Sequence, residues 1–189
     1  MKLLSGISKR LLIFLIIGTY GTLMSQESLT LASKPQLKIS GTSSLHDWDM
    51  VSEVAEGKLT ATIADNQITD ITSMVVKMPA ESIKSGKNGM DKNAYKAMYT
   101  DKHKYVTFNL KSAIKTGDGS WTLNGTFSIA GTTKSVDLKV KQTSANGSYS
   151  FSGSHAFKLT DYGIEPPKAL MGTIKTGDEV TISFNVNFK

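Results

Sequence analysis

The sequence predicts an all-β fold of eight antiparallel strands, with one short helix between two of the strands. Two observations indicate it: apolar and polar residues alternate with a period of two along much of the chain, and turn sequences rather than helices separate the alternating segments. Consecutive strands of this kind form an antiparallel sheet with one buried face. Such a sheet either closes into a barrel or divides into two stacked sheets.

The alternation is strongest in the second half of the chain. Within 121–129, 136–140, 149–159 and 180–188 every second residue is mostly apolar, and the residues between are mostly threonine, serine, asparagine and lysine. Each of these segments predicts a strand with one buried face. Four fainter segments predict the remaining strands: 37–39, 59–63, 74–78 and 106–110.

The connections are short, with one exception. Turn sequences occur at 64–66, 117–119, 131–133 and 146–147. Residues 91–100 instead predict a short helix, because apolar residues recur on one side of it. These are Met90, Ala94, Ala97 and Met98. Residues 28–34 form a polar lead-in, which we expect to be mobile or to form an edge strand.

Glycines inside the predicted strands favour closure of the sheet. Gly41, Gly57, Gly125 and Gly153 all share the parity of the apolar positions in their strands. A glycine inside a strand marks a bend, a bulge or a close backbone approach. We expect curvature for barrel closure, and as a second role we expect Gly125 and Gly153 to clear volume for a ligand. An eight-stranded barrel is of the size whose interior is either filled or holds one small ligand.

The N-terminal segment, 1–25, predicts a cleaved secretory signal peptide. A basic start precedes an apolar segment, 11–17, that is too short to span a bilayer, and small polar residues follow it. We expect cleavage between Ser25 and Gln26; the alternative is an uncleaved membrane anchor. Because the chain has no cysteine, the protein is not a lipoprotein and has no disulfide.

The charge does not predict binding to nucleic acid. The net charge of the whole chain is +6, and it falls to +3 without the three basic residues of the signal peptide. The remaining lysines are spread along the strands and alternate with apolar residues. A nucleic-acid-binding protein would instead cluster them on one face.

The sequence shows no catalytic or metal-binding motif. His46, His103 and His155 lie on separate segments without metal-ligand spacing, and no nucleophile elbow occurs. Asp161 and Glu165 lie in a turn-rich loop, where solvated acids are expected. The sequence therefore predicts a protein that is not an enzyme and has no metal or cofactor.

The predicted apolar face is the remaining candidate for function. It is rich in aromatic residues and methionine, and methionine suits a surface that adapts to a flexible chain. Its members are Phe108, Trp121, Phe127, Tyr149, Phe151, Phe157 and Phe184, with Met74, Met78 and Met98. It predicts a site for a hydrophobic ligand, although an ordinary packed core has the same composition.

Five segments, in order, resemble the YceI-like family. They are Gly41-Thr-Ser-Ser-Leu-His-Asp-Trp48, the helix 90–98 with the strand 105–108, the hairpin 123–134, the loop 159–167 and the start of the last strand, 178–182. The resemblance spans about residues 36–189. The predicted domains are thus a signal peptide (1–25), a lead-in (26–35) and a YceI-like β-barrel (36–189).

The resemblance implies a lipocalin-like eight-stranded barrel in the periplasm that holds a long polyisoprenoid or quinone-like lipid, for storage or transport. It supports Trp48, Phe108, Phe127, His155, Phe157 and the helix segment Tyr95–Met98 as ligand contacts. The ten candidate ligand-binding residues are therefore Trp48, Met78, Tyr95, Met98, Phe108, Trp121, Phe127, His155, Phe157 and Phe184. The sequence leaves open whether the protein forms a homodimer. Two other functions remain: an outer-membrane barrel whose apolar face contacts lipid, and an enzyme that uses His46, His155 or Asp161 inside the barrel.

Overall fold

The computed structural model describes residues 25–32 and 34–189. The predicted signal peptide therefore lies outside the described residues, except for Ser25. Ten strands form one curled sheet. They are β1 (Ser25–Thr30), β2 (Gln36–Ser43), β3 (Trp48–Ser52), β4 (Glu56–Ala64), β5 (Gln67–Pro79), β6 (Tyr105–Gly117), β7 (Ser120–Ile129), β8 (Thr132–Ala145), β9 (Ser148–Lys158) and β11 (Ile174–Phe188). A two-residue strand, β10 (Lys168–Ala169), pairs with β11 alone.

The sheet is antiparallel, with the strand order β1-β4-β5-β6-β7-β8-β9-β11-β2-β3. Strands β4 to β9 each pair with the next strand along the chain, and β11 then pairs with both β9 and β2. The turns 65–66, 118–119 and 146–147 share one end of the sheet. The long connections after β5 and β9 share the other end, because neighbouring strands alternate in direction.

The all-β, antiparallel prediction is confirmed, but the count of eight strands is wrong. The two strands left out of the count are β1, in a lead-in expected to be mobile or an edge strand, and β3. Strand β1 shows no alternation, since Leu29 is its only buried residue, and it forms through pairing with β4. Strand β3 is only five residues long and pairs with β2. Pairing with distant residues, which a local pattern does not record, decides both strands.

Backbone hydrogen bonds of the two residues after β1 connect strand β4 with the end of β11. Leu31 N donates to Gly57 O of β4 at 2.9 Å, and Ala32 N donates to Asn187 O of β11 at 2.7 Å. The lead-in is thus an edge strand that touches both β4 and the end of β11. At the other free edge, Val51 and Lys84 exchange two backbone hydrogen bonds of 2.8 Å.

The inner face of the sheet is the apolar core. All five odd-numbered positions from Trp121 to Ile129 in β7 are buried, as the alternation predicted. The most completely buried large side chains are Leu59, Ile68, Leu123, Phe151 and Phe188. A smaller cluster of Met50, Met78 and Ile83 packs beneath the helix. In the described part of the chain, no helix has the length and hydropathy needed to cross a membrane.

The one α-helix among the described residues, α1, comprises Asn88–Ala97 rather than the predicted 91–100. It begins earlier because the Asp91 carboxylate accepts hydrogen bonds from Ser85 N at 2.8 Å and Ser85 Oγ at 2.6 Å, which fix the chain before the first turn. It ends at Ala97, and Tyr99 then adopts a left-handed conformation with φ 51°. The helix lies over the end of the sheet that has the long connections.

Candidate functional site

A cavity of about 760 Å³ lies between the inner face of the sheet and α1. This volume is in the range of small-molecule binding sites. Its walls are almost entirely apolar side chains from both halves of the sheet. Among the described residues that line it, none is acidic, and the polar ones are Lys38, Ser43, His46, Lys87, Asn93, Lys168 and Thr176. The cavity therefore suits an elongated apolar molecule.

Seven of the ten candidate ligand-binding residues line this cavity. They come from β3, β5, β6, β7, β9 and β11 and from the residue after α1, and are Trp48, Met78, Phe108, Phe127, Phe157, Phe184 and Met98. Phe108 and Phe127 pack against each other with ring centroids 5.4 Å apart. The structure thus brings these side chains to one space. Contact with a ligand stays a prediction.

Tyr95 lies behind the cavity rather than in its lining. Its hydroxyl receives a hydrogen bond from Lys84 Nζ at 2.6 Å and donates to Ile83 O at 2.8 Å. Because both partners belong to the segment before α1, Tyr95 fixes the helix to its own connection. Its role in the structure is to position the helix that covers the cavity.

Trp121 and His155 face inward but also lie outside the cavity lining. Trp121 is only 2% exposed in the core near the turn end of the sheet, and its indole Nε1 has no hydrogen-bond partner among the described residues. His155 lies beside the rings of Phe127 and Phe157, with centroid distances of 6.1 and 6.3 Å. Burial lowers the pKa of His155 below the ordinary 6.5, partly opposed by the charge of Asp137.

Gly125 and Gly153 make room for aromatic rings that line the cavity. A Cβ atom at Gly153 would lie 2.9 Å from Phe184 Cζ, and one at Gly125 would lie 2.7 Å from Phe108 Cζ. Neither glycine lines the cavity itself. Their effect on its volume is indirect, because each allows the neighbouring strand's ring to lie flat against the sheet.

Gly41 repeats this arrangement at the mouth of the cavity. A Cβ atom there would collide with the indole of Trp48, its partner across the β2–β3 pair. The same indole donates through Nε1 to Thr42 O at 2.9 Å. The opening motif that ends in Trp48 therefore builds one wall of the cavity.

The helix covers the cavity and is held by hydrogen bonds from the segment that precedes it. Asp91 binds Ser85, and these hydrogen bonds lower the pKa of the Asp91 carboxyl group. Thr100 Oγ1 donates to Glu81 Oε1 at 2.7 Å. Toward the cavity α1 presents only Gly89, Met90, Asn93, Ala94 and Ala97. Its contact with the ligand space is thus mostly apolar.

Two loops form the rest of the mouth and are joined to each other. Ser44 N donates to Lys175 O at 2.9 Å, and Lys175 N donates to Ser44 Oγ at 3.1 Å. The first loop follows β2 and places Leu45 and His46 in the lining. The second is the hairpin of β10 and β11. Nothing in the local sequence predicted that these loops meet, because they are far apart along the chain.

The loop after β9 closes the wall between this hairpin and the core. Thr160 donates to the Asp178 carboxylate from N at 2.9 Å and from Oγ1 at 2.7 Å. Tyr162 is buried with its ring 5.0 Å from that of Phe157, and burial raises the pKa of its hydroxyl. Asp161 is exposed and its carboxylate does not line the cavity.

Some lining residues were missed by the sequence reasoning. Met50 lines the cavity from β3, where the alternation of Trp48, Met50 and Ser52 was a usable signal in a very short strand. Ile164 and Pro167 line it from the late loop, which has no strand period, and Ile174 lines it from the first position of β11. Of the histidines and acids considered for catalysis, His46 alone among the described residues lines the cavity. These groups therefore do not converge on one point.

The fold matches several solved structures at low sequence identity. BcnA from Burkholderia cenocepacia is 15% identical, with a TM-score of 0.66, over 80% of this chain and 95% of that one. A polyisoprenoid-binding domain from Saccharophagus degradans, implicated in plant cell wall breakdown, is 12% identical, with a TM-score of 0.68, over 85% and 97%. The YCEI protein of Campylobacter jejuni is 16% identical, with a TM-score of 0.59, over 72% and 81%. These likenesses establish the fold.

The sequence comparison gives the family. A search of the curated proteins finds no match. The sequence profile of the YceI-like domain, in contrast, matches residues 28–188, which is most of the chain and includes the cavity-lining strands and α1. The curled antiparallel sheet, the covering helix and this match agree, and the chain belongs to the YceI-like family.

Proposed function

We propose that this protein binds one long-chain lipid, of the polyisoprenoid or quinone-like class, inside the curled sheet beneath α1. The observation that carries the proposal is the cavity of about 760 Å³, whose described lining is mostly apolar and has no acidic residue. Covering roughly 400 Å² of hydrocarbon there contributes about 10 kcal/mol before the costs of association. A packed core would leave no such space.

The choice of a polyisoprenoid as the ligand is supported by similarity to a solved structure as well as by the cavity lining. The Saccharophagus degradans domain, described as polyisoprenoid-binding, shares the fold, and both chains are covered over most of their length. The aromatic rings of Phe108, Phe127, Phe157 and Phe184 suit the branched, unsaturated units of such a chain, since they offer large apolar surfaces. A quinone carries the same kind of tail.

The site of action that we propose is the periplasm, with storage or transport of the lipid as the role. The support is the sequence of the N-terminal segment, 1–25, with its basic start and short apolar run. A homodimer is compatible with this role and is a separate proposal, which size measurements test. Neither proposal changes the cavity.

An outer-membrane barrel is the less favoured function. The outward positions of β8 alternate as exposed Lys139, Asp137 and Lys141, and the apolar Val136, Leu138 and Val140 are buried inside. A barrel in lipid would turn its apolar face outward. An enzyme is also less favoured, because His46, His155 and Asp161 do not share the cavity lining.

The proposal is tested by the lipid content of protein purified without detergent from its own host. Native mass spectrometry should show one bound molecule, and organic extraction should identify it as a polyisoprenoid or a quinone. Ala97→Trp fills the cavity from α1 and should lower the bound fraction at least tenfold. Lys96→Trp, on the exposed side of the same helix, is the matched control and should leave it unchanged.

Two results would contradict the proposal. The first is wild-type protein that carries no lipid and takes up none from polyisoprenoid micelles. The second is an equal bound fraction in Ala97→Trp and Lys96→Trp, which would place any bound lipid outside the cavity. Thermal unfolding of both variants shows that each remains folded.

A further inference from the structure

Two large apolar side chains are exposed at the mouth of the cavity. Leu45 is 66% exposed, and Met171 is fully exposed. Single exposed apolar residues are common on protein surfaces. These two, however, lie on the loops that Ser44 joins through its hydrogen bonds to Lys175 and to Thr173 O. They are therefore presented together, at the opening through which a ligand passes.

The backbone at Met171 makes the presence of methionine there unusual. Met171 has φ 56° and ψ 31°, and Gly172 follows with φ 91°. Asparagine, aspartate and glycine adopt positive φ more readily than other residues, so the backbone conformation does not favour methionine there. Because the side chain is fully exposed, burial does not favour methionine either.

The charge around the mouth is positive. The three segments that line it, 43–47, 87–98 and 164–176, contain five lysines and three acidic residues, a net +2. Residues 25–189 have a net charge of only +3, so most of the excess lies here. Of the three acids, Asp91 is engaged by Ser85, and Glu165 forms an ion pair of 3.3 Å with Lys168, which offsets one of the five lysines.

We propose that the mouth docks on the surface of a phospholipid bilayer with anionic head groups, and that Leu45 and Met171 enter the boundary between head groups and acyl chains. The lysines of the mouth then lie at the level of the phosphates. Apolar tips flanked by lysines are the combination that binds anionic membrane surfaces. This proposal rests on the proposed function, because it supplies the route by which a lipid reaches the cavity without exposing its chain to water.

The docking is tested first by local probes. The chain has no cysteine, so Met171→Cys labelled with an environment-sensitive dye reports on the loop alone. With vesicles of phosphatidylethanolamine that contain phosphatidylglycerol as the minor, anionic component, the emission should shift to the blue, and added potassium chloride should reduce the shift. Ile114→Cys, at an exposed apolar position near the opposite end of β6, should show no shift. No shift at 171, or equal shifts at both positions, overturns the proposal.

The second test separates docking from lipid carriage. The loop variant Met171→Asn changes a residue outside the cavity lining and suits the positive φ there, and it should slow lipid transfer from the same vesicles at least fivefold, whereas Ile114→Asn should not. The capacity of the cavity for lipid added in micelles should be the same in the wild type, the loop variant and the Ile114→Asn control. Unchanged transfer in the loop variant overturns the docking. A dye shift at 171 in a protein that holds no lipid supports docking and contradicts the proposed function.

Discussion

At the residue scale, the contact between Gly153 and Phe184 sets the position of a ring in the cavity wall. We predict that Gly153→Ala lowers the free energy of unfolding by about 1–3 kcal/mol, because the added Cβ would lie 2.9 Å from Phe184 Cζ and 2.9 Å from Lys139 O. It should also reduce lipid binding by pushing the ring into the cavity. Denaturant unfolding and native mass spectrometry measure the two effects.

A second substitution serves as the control for this prediction. Phe184→Leu removes the ring, so that it should recover part of the loss when combined with Gly153→Ala, giving a non-additive pair. If the two effects simply add, the contact with Lys139 O alone carries the cost. The ring's position would then not depend on the glycine.

The half-buried imidazole of His155 gives a second residue-scale prediction. Since burial lowers its pKa in the folded protein, the folded state binds this proton less readily than the unfolded state. The neutral imidazole therefore contributes to the free energy of unfolding at pH values above about 6.5, the pKa of histidine in the unfolded chain. This contribution is lost as the pH falls through the lower pKa that His155 has in the folded protein. His155→Phe should flatten the dependence of the melting temperature on pH in this range. An unchanged profile would assign the dependence to other groups.

Strand parity predicted which residues face inward but not how far along the sheet they lie. Phe108 and Trp121 have equally clear inward parity, yet Phe108 lines the cavity and Trp121 packs in the core. The position of a residue along the length of the sheet depends on the stagger between neighbouring strands. It also depends on bulges such as the one between Leu110 and Ser112 in β6. Local sequence does not record either quantity.

At the scale of elements, helix α1 is the covering element, and its anchor is the hydrogen-bonded Asp91. We predict that Asp91→Ala lowers the free energy of unfolding by about 1–3 kcal/mol and raises hydrogen exchange within 88–97 more than in the strands, because Ser85 loses its acceptor. Lys92→Ala, which alters an exposed neighbour, is the control. Uniform acceleration of exchange across the sheet would mean that the helix is not a separate unit.

The position of this helix shows where local reasoning fails at this scale. The apolar positions Met90, Ala94 and Ala97 were sufficient to predict a helix and its inner face. Its start depends on the hydrogen bond between Asp91 and Ser85, which precedes the N-cap residue Lys87, and the apolar period does not record this contact. Strands β1 and β3 were left out of the count for a related reason, since their partners lie elsewhere in the chain.

At the scale of the whole molecule, the distribution of packing and empty space supports the binding role. The turn end of the sheet is filled by Trp121, Tyr149 and Phe188, each no more than 3% exposed. Toward the other end, the space under α1 is open and apolar. The fully packed end and the ligand space thus lie toward opposite ends of one sheet. They are joined by buried residues such as Leu123 and Phe151, which belong to the core and also line the cavity.

The most direct test of the central claim is a crystal structure of the protein purified from its own host without detergent. The account predicts one continuous, elongated density inside the sheet, beneath α1 and in contact with Phe108, Phe127 and Phe184. A cavity filled by repacked side chains, or by separate water molecules with no chain density, would contradict the claim that this sheet is built to hold a long lipid.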